Sequence, residues 1–158
     1  MGGTATALSI LFDNQDNFPP CVGYGFIRSI CYGWMTDARM RVLHPRPCIL
    51  GCGTGGDDFN HYAVCPIVWE TARKLGLLRI PYVEVRCRMF LVLDGQEHIH
   101  LRLALLHACM ISVHRLRGPH AHIARDEVPS YIRNNFRDIL TRNLFLRNAF
   151  NSIWRQEG

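Results

Sequence analysis

Four residues within one short window constrain this chain more than any other feature: Cys48, Cys52, His61 and Cys65, spaced C-x3-C-x8-H-x3-C. Zinc takes four soft or borderline ligands in a tetrahedron, about 2.3 Å to sulfur and about 2.0–2.1 Å to an imidazole nitrogen. Such a spacing supplies two ligands from a tight turn and two from a helix. Gly51 and Gly53 flank Cys52, and glycine is the residue that lets a backbone fold back tightly enough to wrap an ion. His61 and Cys65 stand four apart, which places them on one side of a helical turn. Zn2+ is therefore the expected cofactor, with Cys48, Cys52, His61 and Cys65 as its ligands, in preference to four ordinary buried or surface side chains. Asp57 or Asp58 either orients His61 through its second ring nitrogen or caps the helix that carries it, and capping is the favoured role. His44 is a poorer substitute ligand because Pro45 follows it directly. Four protein ligands leave no open metal position, so the site is expected to be structural and the chain not an enzyme.

Hydrophobic residues make up 48% of the chain against 20% charged, which places it with globular rather than disordered sequences. Among the 18 basic residues only Lys74 is a lysine, and the net charge is +5. An arginine excess suits phosphate contacts, but a coding bias toward arginine accounts for it equally well. Seven cysteines without a secretory leader point to a reducing nuclear or cytoplasmic setting, where clustered thiols more often hold metal than form disulfides. Cys21, Cys31, Cys87 and Cys109 lie among apolar residues and are expected to be structural. The apolar run Ala5–Phe12 is too short for a membrane span or a signal peptide, and no membrane association is expected. The start Met1–Thr6 fits the loose myristoylation pattern. In a fragment of a longer chain, however, Met1 need not be a native start, and lipidation is not expected.

Glycine and proline punctuation divides the chain into three stretches, 1–43, 44–76 and 77–158. The first is read as loops plus a short helix within Val22–Met35 ending near Gly33, with Thr36 capping a turn through Met40 and Arg41. The second carries the Cys/His cluster. A short helix capped by Asp57 or Asp58 holds His61 and Cys65, and a helix Pro66–Leu75 follows, stopped by Gly76. In the third, Val83–Leu93 alternates like a strand but is equally compatible with a helix. The run Glu97–Leu116 is apolar on several faces, as expected of a helix at the centre of a core. A final helix is expected from Val128 to Arg155. The expected fold is mainly α, a small CCHC zinc knuckle followed by a helical bundle.

The segments Gly33–Met40, Pro47–Gly53 and Asp57–Pro66, with Trp34, Thr36 and Arg39 ahead of the cysteine pair and His61-Tyr62 before Cys65-Pro66, resemble the region downstream of the reverse transcriptase in LINE-like non-LTR retrotransposon polyproteins. The likeness is firm over Gly33–Trp69 and loose to about Gly118, where Leu103–Ala108 looks like the helix after that knuckle. It implies a zinc-binding, nucleic-acid-associated element beside a polymerase, with the parent reverse transcriptase domain as one partner and RNA or single-stranded DNA as another. The polymerase's own signature is missing: Asp57-Asp58 lies inside the knuckle loop without the flanking strand pattern that paired catalytic aspartates need.

For nucleic-acid contact the candidates are Arg39, Arg41, Arg46, Arg73 and Lys74 on phosphates, with Trp34, Tyr62 and Trp69 stacking on unpaired bases. The competing reading is a solvated basic face over core aromatics, in a zinc module that docks on protein and never touches nucleic acid. Arg133, Arg137, Arg142, Arg147 and Arg155 are read as a solvated helix face. The pairs His98/His100 and His120/His122 are read as ordinary histidines.

Overall fold

The computed structural model describes residues 8–9, 12–13, 16, 18–31, 33–77, 98–118 and 123–156. Among them the regular structure is helical: α1 (Pro20–Ile30), α2 (Phe59–Ala63), α3 (Pro66–Lys74), α4 (Ile99–Leu116), α5 (Val128–Thr141) and α6 (Leu144–Gln156), with a 3-10 turn at Arg125–Glu127. The mainly α expectation agrees with this. Val83–Leu93 and the His120/His122 pair lie outside the described residues.

Helix α4 is buried almost from end to end, with Leu101, Leu103, Ala104, Leu105, Leu106, Ala108, Cys109 and Val113 all inside. A helix apolar on several faces needs cover on several sides, and α1, α3, α5 and α6 all pack against it. Helix α1 begins with Pro20 at its first turn, where a missing N–H costs nothing. It buries Val22, Phe26 and Ser29 at helical spacing. Gly25 sits where a methyl group would overlap the His107 imidazole, so the missing side chain sets how closely α1 approaches α4. Helix α3 ends in a Schellman turn: Leu77 N–H donates to Ala72 O at 3.0 Å, Gly76 N–H donates to Arg73 O at 2.9 Å, and Gly76 adopts φ +69°. Helices α4 and α5 are also joined by polar contacts, with Asn135 Nδ2 donating to Ser112 Oγ at 2.9 Å and Arg115 donating to Asn135 Oδ1 at 2.9 Å.

Three expectations need correction. The last helix is two helices, broken at Arg142-Asn143, because the Asn143 side chain accepts from Leu146 N–H at 2.8 Å and starts α6 as a new helix. The first helix stops at Ile30, three residues before Gly33. Cys21 and Cys31 are exposed rather than packed among apolar neighbours. Cys109, by contrast, is fully buried.

Burial also sets a pH dependence. The His107 imidazole is buried, its Nδ1 has no partner, and desolvation, then the neighbouring His114, pulls its pKa from 6.5 down to about 4. Above pH 6.5 neither folded nor unfolded chain protonates it. Below that, only the unfolded chain gains the proton, so stability falls as pH drops from 6.5 toward 4, by about 3 kcal/mol in all. His100 and His114 are shifted in the same direction. Urea melts across this range should show the slope, and His107→Met should flatten the largest share of it.

Candidate metal centre

Residues 46–57 form a closed loop. Asp57 N–H donates to Arg46 O at 2.9 Å, Cys48 N–H donates to Gly55 O at 2.9 Å, and Pro47 pairs with Gly56 as an antiparallel bridge. Inside it, Gly51 N–H donates to Cys48 O at 2.9 Å, and Gly51 and Gly53 take φ of +78° and +75°. These left-handed conformations cost an L-residue about 1–2 kcal/mol. The two glycines around Cys52 thus do what their positions in the sequence predict.

Asp58 is the cap of α2: its Oδ1 accepts from His61 N–H at 2.8 Å. Helix α2 ends at Ala63, and Cys65 sits at the N-cap of α3. Contrary to what their spacing predicts, His61 and Cys65 therefore do not share one helix. The tight α2–α3 junction delivers Cys65 to the same point.

The ligand atoms of Cys48, Cys52, His61 and Cys65 all lie within 4.8 Å of one another. Cys48 Sγ and Cys65 Sγ are 3.9 Å apart, and Cys52 Sγ and His61 Nε2 are 3.1 Å apart. A zinc tetrahedron needs separations of about 3.8 Å between sulfurs and about 3.5 Å between sulfur and nitrogen, from its bond lengths. These two of the six edges are within a few tenths of an ångström of that, and all six lie within 4.8 Å, so the cluster is compatible with a zinc ion. Thr54 adds two contacts to Cys52 Sγ, its N–H at 3.4 Å and its Oγ1 at 3.2 Å. The bond from Cys65 pulls the Cys48 thiol down to about 5 against its burial, while the same bond and burial push Cys65 far up.

No protein-family model, curated protein or solved structure matches this chain.

Sequence reasoning missed the support around the cluster. Asp37 and Asp57 are buried, and Arg117, at the end of α4, reaches both: it donates to Asp37 Oδ1 at 2.6 Å and to Asp57 Oδ2. Arg46 grips Asp37 with two guanidinium bonds of 2.8 and 2.9 Å, and its N–H adds a third at 2.8 Å. Tyr62 Oη donates to Asp57 Oδ1 at 2.7 Å and accepts from Ile49 N–H at 3.2 Å. Asp57 thus neither caps α2 nor orients His61; it ties the ligand loop to α4. These partners, Arg46 foremost, hold the Asp37 carboxyl well below the usual carboxylate range.

Trp34, Tyr62 and Trp69 are fully buried, which removes them as platforms for bases. Trp34 packs edge-on against Phe59 with ring centroids at 5.8 Å and lies 5.6 Å from Tyr62, forming the floor beneath the cluster. Of the expected basic contacts, Arg46 is committed to Asp37, while Arg73 and Lys74 pair with Glu70 at the surface. Arg39 and Arg41 are exposed, and no ion pair engages them among the described residues.

Gly55 provides a local test. A methyl group there would overlap the His61 ring, whereas at Gly53 nothing stands in the way and only the positive φ resists. Gly55→Ala should weaken zinc binding about 10- to 100-fold, the range typical of disturbed ligand support. Gly53→Ala should cost about 1 kcal/mol of stability and little affinity. Competition against a zinc-sensitive dye separates the two; equal affinities would contradict this account of His61.

Proposed function

We propose that this chain is a non-catalytic, structural zinc module: Cys48, Cys52, His61 and Cys65 enclose one Zn2+ and so fix a zinc knuckle against a helical bundle centred on α4. The observation that carries this is the mutual approach of three sulfurs and one imidazole nitrogen within 4.8 Å. Four protein donors fill a tetrahedron and leave no place for a metal-bound water, which is the arrangement of structural sites rather than hydrolytic ones. As for origin, the reading is a LINE-like polyprotein, with the module seated beside its reverse transcriptase. Its support is that the two halves of the motif meet in space: Trp34 lies on Phe59 and Tyr62, and Asp37 N–H donates to Asp57 at 2.8 Å.

Cobalt substitution tests the metal reading. The full chain titrated with Co2+ should develop the intense visible bands of a tetrahedral thiolate site, saturate at one equivalent and be bleached by Zn2+. A pale octahedral spectrum would overturn it. A second reading, contact with RNA or single-stranded DNA, is favoured by the exposure of Arg39 and Arg41. With Trp34, Tyr62 and Trp69 buried, that binding would rest on phosphates and fall steeply with salt. Binding that is insensitive to salt, or unchanged when both arginines are replaced, would remove it.

A further inference from the structure

The turn that follows Trp34 is built in an unusual way. Its polar backbone is satisfied inward while its apolar side chains point to solvent. Met40 N–H donates to Thr36 O at 2.9 Å, Val42 N–H to Asp37 O at 3.0 Å, Arg41 N–H to Ala38 O at 3.3 Å, and Arg39 N–H to Thr36 Oγ1 at 3.2 Å. Ala38 N–H donates to Asp57 O at 3.3 Å, so the turn is fastened to the ligand loop, and Arg41 is held at φ +53°. On this pinned frame Leu43 is 85% exposed and Met40 59% exposed, with Met35 and Val42 each at 45%. Arg39 and Arg41 alternate with them along the chain.

We propose that residues 35–43 form a docking tip for a protein segment that presents an apolar face bordered by Asp and Glu. Three features favour this occupant. Methionine and arginine are enriched at protein interfaces, where an exposed aliphatic side chain gains by leaving water. Aliphatic side chains offer no flat ring for a base to stack on, and nucleic-acid interfaces are more polar than this one. The two arginines, engaged in no ion pair among the described residues, complement carboxylates rather than further cations. A tip already fixed by hydrogen bonds also loses little conformational freedom on binding. This inference rests on the zinc-scaffold reading only in that the ligand loop is one anchorage of the tip, the other being Arg117 at the end of α4, which holds Asp37.

The test is a random dodecapeptide library displayed on phage and panned against the zinc-loaded full chain, with M40S/L43S and R39E/R41E as comparison proteins. Selected peptides should combine large apolar residues with Asp or Glu, and should bind both variants at least about tenfold more weakly. Peptides without acidic residues, or with equal affinity for the variants, would overturn the docking tip. So would a uridine dodecamer that binds the chain, loses affinity with R39E/R41E and keeps it with M40S/L43S, because that pattern assigns the arginines to phosphate. Zinc is measured on the same samples. Peptide selectivity without zinc would sink the scaffold alone, and zinc without peptide selectivity would sink the docking tip alone.

Discussion

Cys65→Ser is expected to abolish zinc retention and to give a protein whose thermal midpoint no longer responds to a chelator. Cys65 is fully buried at the α2–α3 junction and is one of the two sulfurs that face each other across the cluster. A serine oxygen is harder, shorter and not ionised there, so one of four ligands is lost. Disturbing the mere supports of a ligand costs about 10- to 100-fold in affinity, and losing the ligand should exceed that. Metal binding that orders a loop is also folding free energy. The ends of the loop 46–57 stay tied through Arg46 to Asp37 and Asp57 to Arg117, but the stretch 48–56 between them is held by few bonds, so it should open when the ion leaves. The variant should therefore melt where the chelated parent melts. Amides of residues 48–56 should exchange rapidly with solvent, while those of α4, enclosed by four helices, stay protected. A variant with the parent's midpoint and its chelator sensitivity would show that Cys65 holds no metal.

Arg117→Met should be nearly as damaging, although Arg117 touches no ligand. Its guanidinium is the cation shared by two carboxylates, Asp57 about 1% exposed and Asp37 about 2% exposed. Deleting one partner of a buried ion pair leaves an uncompensated charge and costs about 3–5 kcal/mol, which for a chain of this size lowers the midpoint by about 10 °C. Combining Arg117→Met with Asp57→Asn should recover part of the loss, because the stranded charge goes with it. Asp37 is held below the ordinary carboxylate range in the folded state, so its contribution is complete above about pH 4. It disappears only as pH falls through the lower folded value. A melt of Arg117→Met indistinguishable from the parent at neutral pH would contradict this network.

How much of this was legible in the sequence depended on how local its cause was. Cys48, Cys52, His61 and Cys65 lie in one short segment with glycine at the turns, so their nearness in sequence was readable, although the α2–α3 junction rather than one shared helix delivers Cys65. Helix α4 announced itself because a run apolar on several faces leaves little face for solvent. Gly76 and Pro66 marked the ends of α3 through their own backbone limits. What escaped was nonlocal or ambiguous. Arg117 lies 80 residues from Asp37, and nothing near either residue names the other. Asp57 and Asp58 are adjacent and chemically identical, yet one caps a helix and the other anchors a buried arginine. Only the direction of the chain as it enters α2 separates them. Asn143 carried a readable capping signal that the continuous apolar spacing of α5 and α6 concealed. Trp34, Tyr62 and Trp69 show the same limit from another side. An aromatic beside a basic residue reads equally as a base-stacking platform or as core, and the packing of Trp34 on Phe59 decides for core.

The most direct measurement is X-ray absorption at the zinc edge of the purified full chain at neutral pH. The expected shell is three sulfurs at about 2.3 Å and one imidazole nitrogen at about 2.0–2.1 Å, with one zinc per chain and no oxygen scatterer. A shell dominated by nitrogen and oxygen, or one containing a bound water, would contradict a closed structural site.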